Sequence, residues 1–277
     1  MEWVMFSKHL DLLGLSLEEV ARDMKEMGFD GMDLTVRPGG RIEPHEVEHK
    51  LPDAVATIEQ MGLSVPMITT GITSIHSPYA EAIFGTAAEC GIPALKLGYW
   101  RLQDPAEFWT MYENATVWLD GIQSLAMQYG VSANIHMHSG PYISAYPPVV
   151  YMLLEGRDPR YVGAYVDSGH MVIEGGRDGW RQGLVMLGPY INLVALKGYS
   201  WVCERDENGK LTYDLQMLGF EESQQDWSQF LQIIKSFGYD GTVSLHSEYG
   251  EMNHEQLIDQ TQRDLDYIKE VAAALEE

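Results

Sequence analysis

His136 and His138 stand two residues apart, as do His246 and Glu248, and His170 follows Asp167 by three. On a strand, residues two apart share a face, so each of the first two pairs would present both side chains to one side. Imidazoles beside carboxylates can bind a transition metal, carry a proton or hold charge. Asp33 and Arg37, Lys96 and Lys197 also fall in or just after short apolar runs. Any one of these histidines, taken alone, is more often a hydrogen-bonded structural residue. Their joint occurrence at the ends of apolar runs points to one shared ligand pocket.

The chemistry suggested is metal-assisted. Two histidines and a carboxylate bind Zn, Mn, Co, Ni or Fe(II) and leave positions open for substrate oxygens, whereas Mg wants more carboxylates. The expected metal ligands are His136, Asp167 and His246. Glu248 would be the general base, its pKa raised by partial burial, while Lys197 or His170 would stabilise the developing oxyanion. Asp33, Arg37, Lys96 and His138 would position substrate oxygens. Trp201 offers a flat apolar ring to the C–H face of a sugar or polyol. Without a metal, Asp167 would pair with Lys197 or orient a histidine.

Two other classes compete. An imine-forming lyase or aldolase would use Lys197 or Lys96 as its amine. A catalytically silent sugar-binding protein would need the pocket but no turnover. The segment His45-Glu46-Val47-Glu48-His49 matches the H-E-x-x-H pattern of zinc proteases. Pro44 before it, Pro52 after it and its polar surroundings suggest a solvated helical turn instead.

The elements that must position these groups follow from a glycine repeat. Met27-Gly28-Phe29, Met61-Gly62-Leu63, Cys90-Gly91-Ile92, Tyr129-Gly130-Val131 and Phe237-Gly238-Tyr239 each stand just before a short apolar run. A glycine there closes a helix in the left-handed conformation, with a strand starting almost at once. The spacing of the first four suits one helix plus one strand. The strands fall at 3–6, 31–36, 64–69, 94–97, 132–137, 162–167, 191–197 and 242–246. Ser16-Leu17-Glu18-Glu19 is a capping box. Segment 139–160 reads as a long loop with a short helix, and 198–222 as a long loop with a hairpin-type turn at Glu207-Asn208-Gly209-Lys210. Eight αβ units over residues 1–277 make a single (β/α)8 TIM barrel, whose strand ends meet at one mouth. No G-x-G-x-x-G or Walker motif supports an open doubly wound sheet.

Composition narrows the partners. The formal net charge of −23 repels phosphate backbones, and no Lys/Arg run offsets it, so nucleic acid is not expected. No apolar run is long enough to span a bilayer, and the N-terminus has no signal-peptide pattern. Two cysteines make neither a disulfide framework nor a zinc site, which suits a cytoplasmic protein. The expected partner is a small sugar-like substrate, with a homo-oligomer left open.

Gly28-Phe29-Asp30-Gly31-Met32-Asp33-Leu34, Asp167-Ser168-Gly169-His170 and Asp240-Gly241-Thr242-Val243-Ser244-Leu245 resemble the xylose isomerase-like TIM barrels, and the pattern spreads over nearly the whole chain. That family includes sugar and sugar-phosphate isomerases, epimerases and an endonuclease branch. The resemblance implies a sugar isomerase or epimerase that moves a proton next to a carbonyl, with a divalent metal held by Glu, Asp, His and Glu from strands five to eight. Asp167 matches the second position. His136 stands at the first, Ala195 at the third and His246 at the fourth, with Glu248 two residues on.

Overall fold

Gly28, Gly62, Gly91, Gly130 and Gly238 all take positive φ, between +69° and +88°. Each sits at or just past the end of a helix and turns the chain into the next strand, as the repeat requires. The computed structural model describes residues 1–276. Nine α-helices and ten strands lie along them, beginning with β1 (Glu2–Phe6), α1 (Lys8–Leu12), α2 (Leu17–Met27) and β2 (Gly31–Val36). Next come α3 (Val47–Gln60), β3 (Ser64–Thr70), α4 (Ala80–Glu89), β4 (Ala94–Lys96), α5 (Phe108–Tyr129) and β5 (Ser132–His136). After α6 (Pro147–Leu154), β6 (Val162–Asp167), α7 (Ser168–Leu187) and β7 (Ile191–Leu196), the chain forms β8 (Tyr199–Arg205) and β9 (Leu211–Met217). It ends with α8 (Trp227–Ser236), β10 (Thr242–Leu245) and α9 (His254–Ala274).

Eight strands close into a barrel in the order β1-β10-β7-β6-β5-β4-β3-β2, and every neighbouring pair is parallel. The chain is thus a single TIM-barrel domain. Ser16 and Glu19 form the expected reciprocal capping box on α2. The segment 198–222 is not a plain loop. Its turn, tied by Gly209 N–H to the Asp206 carbonyl at 2.9 Å, joins β8 and β9 into an antiparallel hairpin outside the barrel. Period-two alternation is weak there because almost every residue of β9 is exposed. His45 lies in a short 3-10 turn and His49 in the first turn of α3, both outside the core, so the H-E-x-x-H segment presents no buried ligand pair.

The main hydrophobic core fills the space between strands and helices. A second, small cluster of Met67, Ala94, Tyr165, Leu193 and Ala195 plugs the barrel interior. One alternation further toward the C-terminal strand ends, the inward positions become Thr69, Lys96, His136 and Asp167. These polar side chains are buried, and they form the floor of the mouth.

Candidate functional site

A cavity of about 160 Å³ opens at the C-terminal end of the barrel. Arg37, Lys96, His136, His138, Lys197, His246 and Glu248 all line it, together with Phe6, Lys8, Thr69, Tyr99 and Tyr165. The space suits a small ligand, since the pockets of drug-sized ligands measure roughly 300–1,000 Å³. Four of the 18 Lys and Arg side chains converge here.

Lys197, just past β7, is 2 % exposed and is the hub of the site. Its Nζ lies 3.4 Å from Asp167 Oδ2, 3.3 Å from Glu248 Oε1 and 2.9 Å from His170 Nε2. Burial alone would lower its pKa, but Asp167 and Glu248 outweigh that and raise it, so the group stays an ammonium. Glu248 departs from expectation. Burial pushes its pKa up, yet Lys197, His246 and Lys8 hold the carboxyl far below its usual range. The ion pair of Lys8 with Glu248 Oε2 at 3.4 Å contributes to that. Asp167 behaves likewise: burial is overcome by Lys197, His170 and His136. Lys96 is the opposite case, its pKa driven well down by burial and then by Arg37. Its Nζ lies over the Tyr99 ring, 3.5 Å from the centroid.

Hydrogen-bond partners assign the imidazole tautomers. Asp167 Oδ2 only accepts, so His136 Nε2 carries the proton of their 3.1 Å contact, and Nδ1 accepts from Tyr99 Oη at 2.9 Å. An ammonium only donates, so His170 Nε2 is the acceptor for Lys197 and Nδ1–H points to Ser139 Oγ at 2.8 Å. His138 Nδ1 faces the Ser139 carbonyl at 2.8 Å and must be its donor. Its Nε2 is therefore the basic nitrogen, and burial lowers its pKa, keeping the ring neutral. His246 Nε2 meets Tyr165 Oη at 2.9 Å, while its buried Nδ1 has no hydrogen-bond partner and lies 3.6 Å from Glu248 Oε1. Burial, then Lys197, lowers the His246 pKa to about 4.

Four expected residues do not line the cavity. Asp167 is fully buried against Lys197 and His136. Asp33 pairs in register with Met67, one alternation below Thr69, so it belongs to the barrel plug and does not line the cavity. There it accepts from Thr69 Oγ1 at 2.8 Å and Ser244 Oγ at 3.1 Å. Trp201 is carried outward by β8, 44 % exposed, onto a separate groove beside Trp180 and Arg181. His170 is buried behind Lys197 and His138, its ring 4.0 Å from that of His138. Tyr165 and Tyr99 are additions that the spacing of titratable groups does not reveal. Tyr165 is within reach of strand alternation, because it precedes Asp167 by two and so shares its inward face.

The expected metal ligands do not fit a metal. His136 has both nitrogens engaged, by Asp167 and Tyr99, and His246 Nε2 is held by Tyr165, which leaves His246 Nδ1 as the one unengaged nitrogen of the expected trio. Asp167 Oδ1 takes the His170 backbone N–H at 3.0 Å, and Oδ2 faces His136 and Lys197. Among the described residues no group of three or more His, Cys, Asp and Glu side chains is arranged to hold a metal ion. No helix among them is long and apolar enough to cross a membrane.

Residues 21–271 match the model of the xylose isomerase-like TIM barrel, and the chain belongs to that family. No curated protein matches it in sequence. Among solved structures it is similar to D-psicose 3-epimerase with D-tagatose from Clostridium cellulolyticum H10, at 13% identity and TM-score 0.73 over 98% of this chain and 99% of that one. It is also similar to the E. coli 3-keto-D-glucoside 4-epimerase YcjR, at 16% identity and TM-score 0.69, covering 97% and 99%. The IOLI protein with a bound zinc atom gives TM-score 0.74 at 14% identity, covering 97% and 98%. At these identities the likeness is one of fold.

Proposed function

We propose that this chain is an isomerase or epimerase of a small keto-sugar, moving a proton at the carbon next to a carbonyl. One observation carries the reading: a neutral imidazole with a fixed basic nitrogen, His138 Nε2, shares a cavity with the buried Lys197 ammonium. The first can take a proton from carbon, and the second can donate a hydrogen bond to the oxygen that becomes negative. Positioned general bases contribute ~10²–10⁴-fold, and a preorganised oxyanion donor ~10²–10³-fold. Glu248 and Asp167 keep Lys197 charged and aimed. Arg37 and Lys96 hold the remaining substrate oxygens. The ion pairs of Lys197 disfavour its use as an imine-forming amine, since the nucleophile must be the neutral form.

The test is to incubate the protein with D-fructose, D-psicose, D-tagatose and 3-keto-glucosides in D2O and follow the proton next to the carbonyl by NMR. Deuterium should enter at that carbon of at least one sugar. Saturable binding of these sugars with no exchange at any carbon would make the chain a silent sugar-binding protein and end the isomerase reading.

A further inference from the structure

Metals in sites of histidine and carboxylate sit where several lone pairs converge on one point. Such a point exists in this chain, and Lys197 Nζ occupies it. Three acceptors face the nitrogen: His170 Nε2, Glu248 Oε1 and Asp167 Oδ2. The ammonium donates a hydrogen bond to His170 Nε2 and forms ion pairs with the two carboxylate oxygens. A divalent ion brought to the same acceptors would meet the ammonium charge at close range.

The surroundings are those of a resident cation. Ser139 Oγ fixes the His170 ring so that Nε2 offers its lone pair. The His170 backbone N–H and the His136 ring orient Asp167. Contacts of this kind orient the ligands of a metal from behind. The charges also close: two carboxylates are balanced by Lys197 and by Lys8 on the far oxygen of Glu248.

We infer that the Lys197 ammonium does in this site the electrostatic work of a divalent cation, so that the wild-type chain binds no metal there and acts on its substrate without one. The catalytic half of this inference rests on the proton-transfer reading; the metal half does not. Removing the ammonium leaves two carboxylate oxygens and one imidazole nitrogen around a gap. Zinc holds such ligands at about 2.0–2.2 Å, so side-chain shifts of roughly 1 Å would complete a metal site.

The experiment measures metal content by elemental mass spectrometry after incubation with excess ZnCl2 or MnCl2 and desalting. Wild type should retain no stoichiometric metal, and its melting temperature should be the same with and without EDTA. Lys197→Ala should retain one zinc per chain, and Lys197→Ala with Asp167→Asn should lose it again. Lys197→Ser, which also removes the charge and leaves the gap open, serves if the alanine variant does not fold. One tightly held metal per wild-type chain would overturn the inference, as would a folded charge-removed variant that takes up none. Either result leaves the hydrogen-exchange test of the proton-transfer reading standing, and failure of that test leaves the metal result intact.

Discussion

Lys197 and Lys96 are both 2 % exposed lysines at strand ends, yet their surroundings push their pKa values in opposite directions. Two carboxylates and an imidazole lone pair hold Lys197 charged, whereas Lys96 has burial and a neighbouring guanidinium against it. Sequence position places both at the mouth but does not show this division, which depends on which acceptors reach each nitrogen. The same limit explains Glu248, where proximity of the carboxylate to two ammonium groups reverses the direction that burial alone would give. The sequence suggests only substrate positioning for His138, because the role as base proposed for it depends on a carbonyl one residue away that fixes its tautomer. His138→Gln keeps a polar side chain of similar reach but has no basic nitrogen. On a sugar that supports exchange, kcat should fall by about 10²–10⁴-fold with KM changed far less. An unchanged kcat in a variant with native circular dichroism would assign the base to another residue.

Element boundaries are legible in sequence wherever a backbone rule acts locally. The five helix-closing glycines, the Ser16 cap and the inward alternation of β5 and β6 need only neighbours in the chain. Depth in the barrel is not local. Asp33 lies one layer deeper than its sequence position suggests, because the stagger of β2 against β3 is a property of the closed sheet. Trp201 lies outside the mouth because β8 leaves the barrel at Gly198, whose Cβ would stand 2.3 Å from the Leu218 carbonyl oxygen. A test of the repeat is Gly130, φ +69°, where an added Cβ would meet no atom within 4 Å. Gly130→Ala therefore isolates the backbone cost and should destabilise by about 1–2 kcal/mol in urea unfolding. Gly130→Asn should cost less, because a short polar side chain tolerates the left-handed region. Equal losses for the two would point to a contact rather than to φ.

Across the whole molecule, buried carboxyls of opposite kinds decide how stability follows pH. Asp167 and Glu248 have depressed pKa values, so what they contribute is present above the unfolded carboxylate pKa and lost as pH falls below it. Asp33 works against them. Burial, only partly offset by the Thr69 and Ser244 hydroxyls, raises its pKa from 3.8 to about 7. Between about pH 4 and 7 the unfolded chain releases a proton that the folded chain keeps, so stability falls as pH rises through that window. A carboxyl raised that far carries a penalty on the order of 4 kcal/mol above pH 7. Asp264, raised to about 6 by burial, adds to the same slope over a narrower range. Asp33→Asn keeps an acceptor for Thr69 and the same shape while removing the titration. Its unfolding free energy relative to wild type should rise steadily from pH 4 to 7 and level off near pH 8. Urea unfolding at a series of pH values measures this difference directly, with Asp264 common to both chains and cancelling. A difference that stays constant with pH would mean that Asp33 is ionised inside the barrel, and that Tyr165, Thr69 and Ser244 solvate its charge fully.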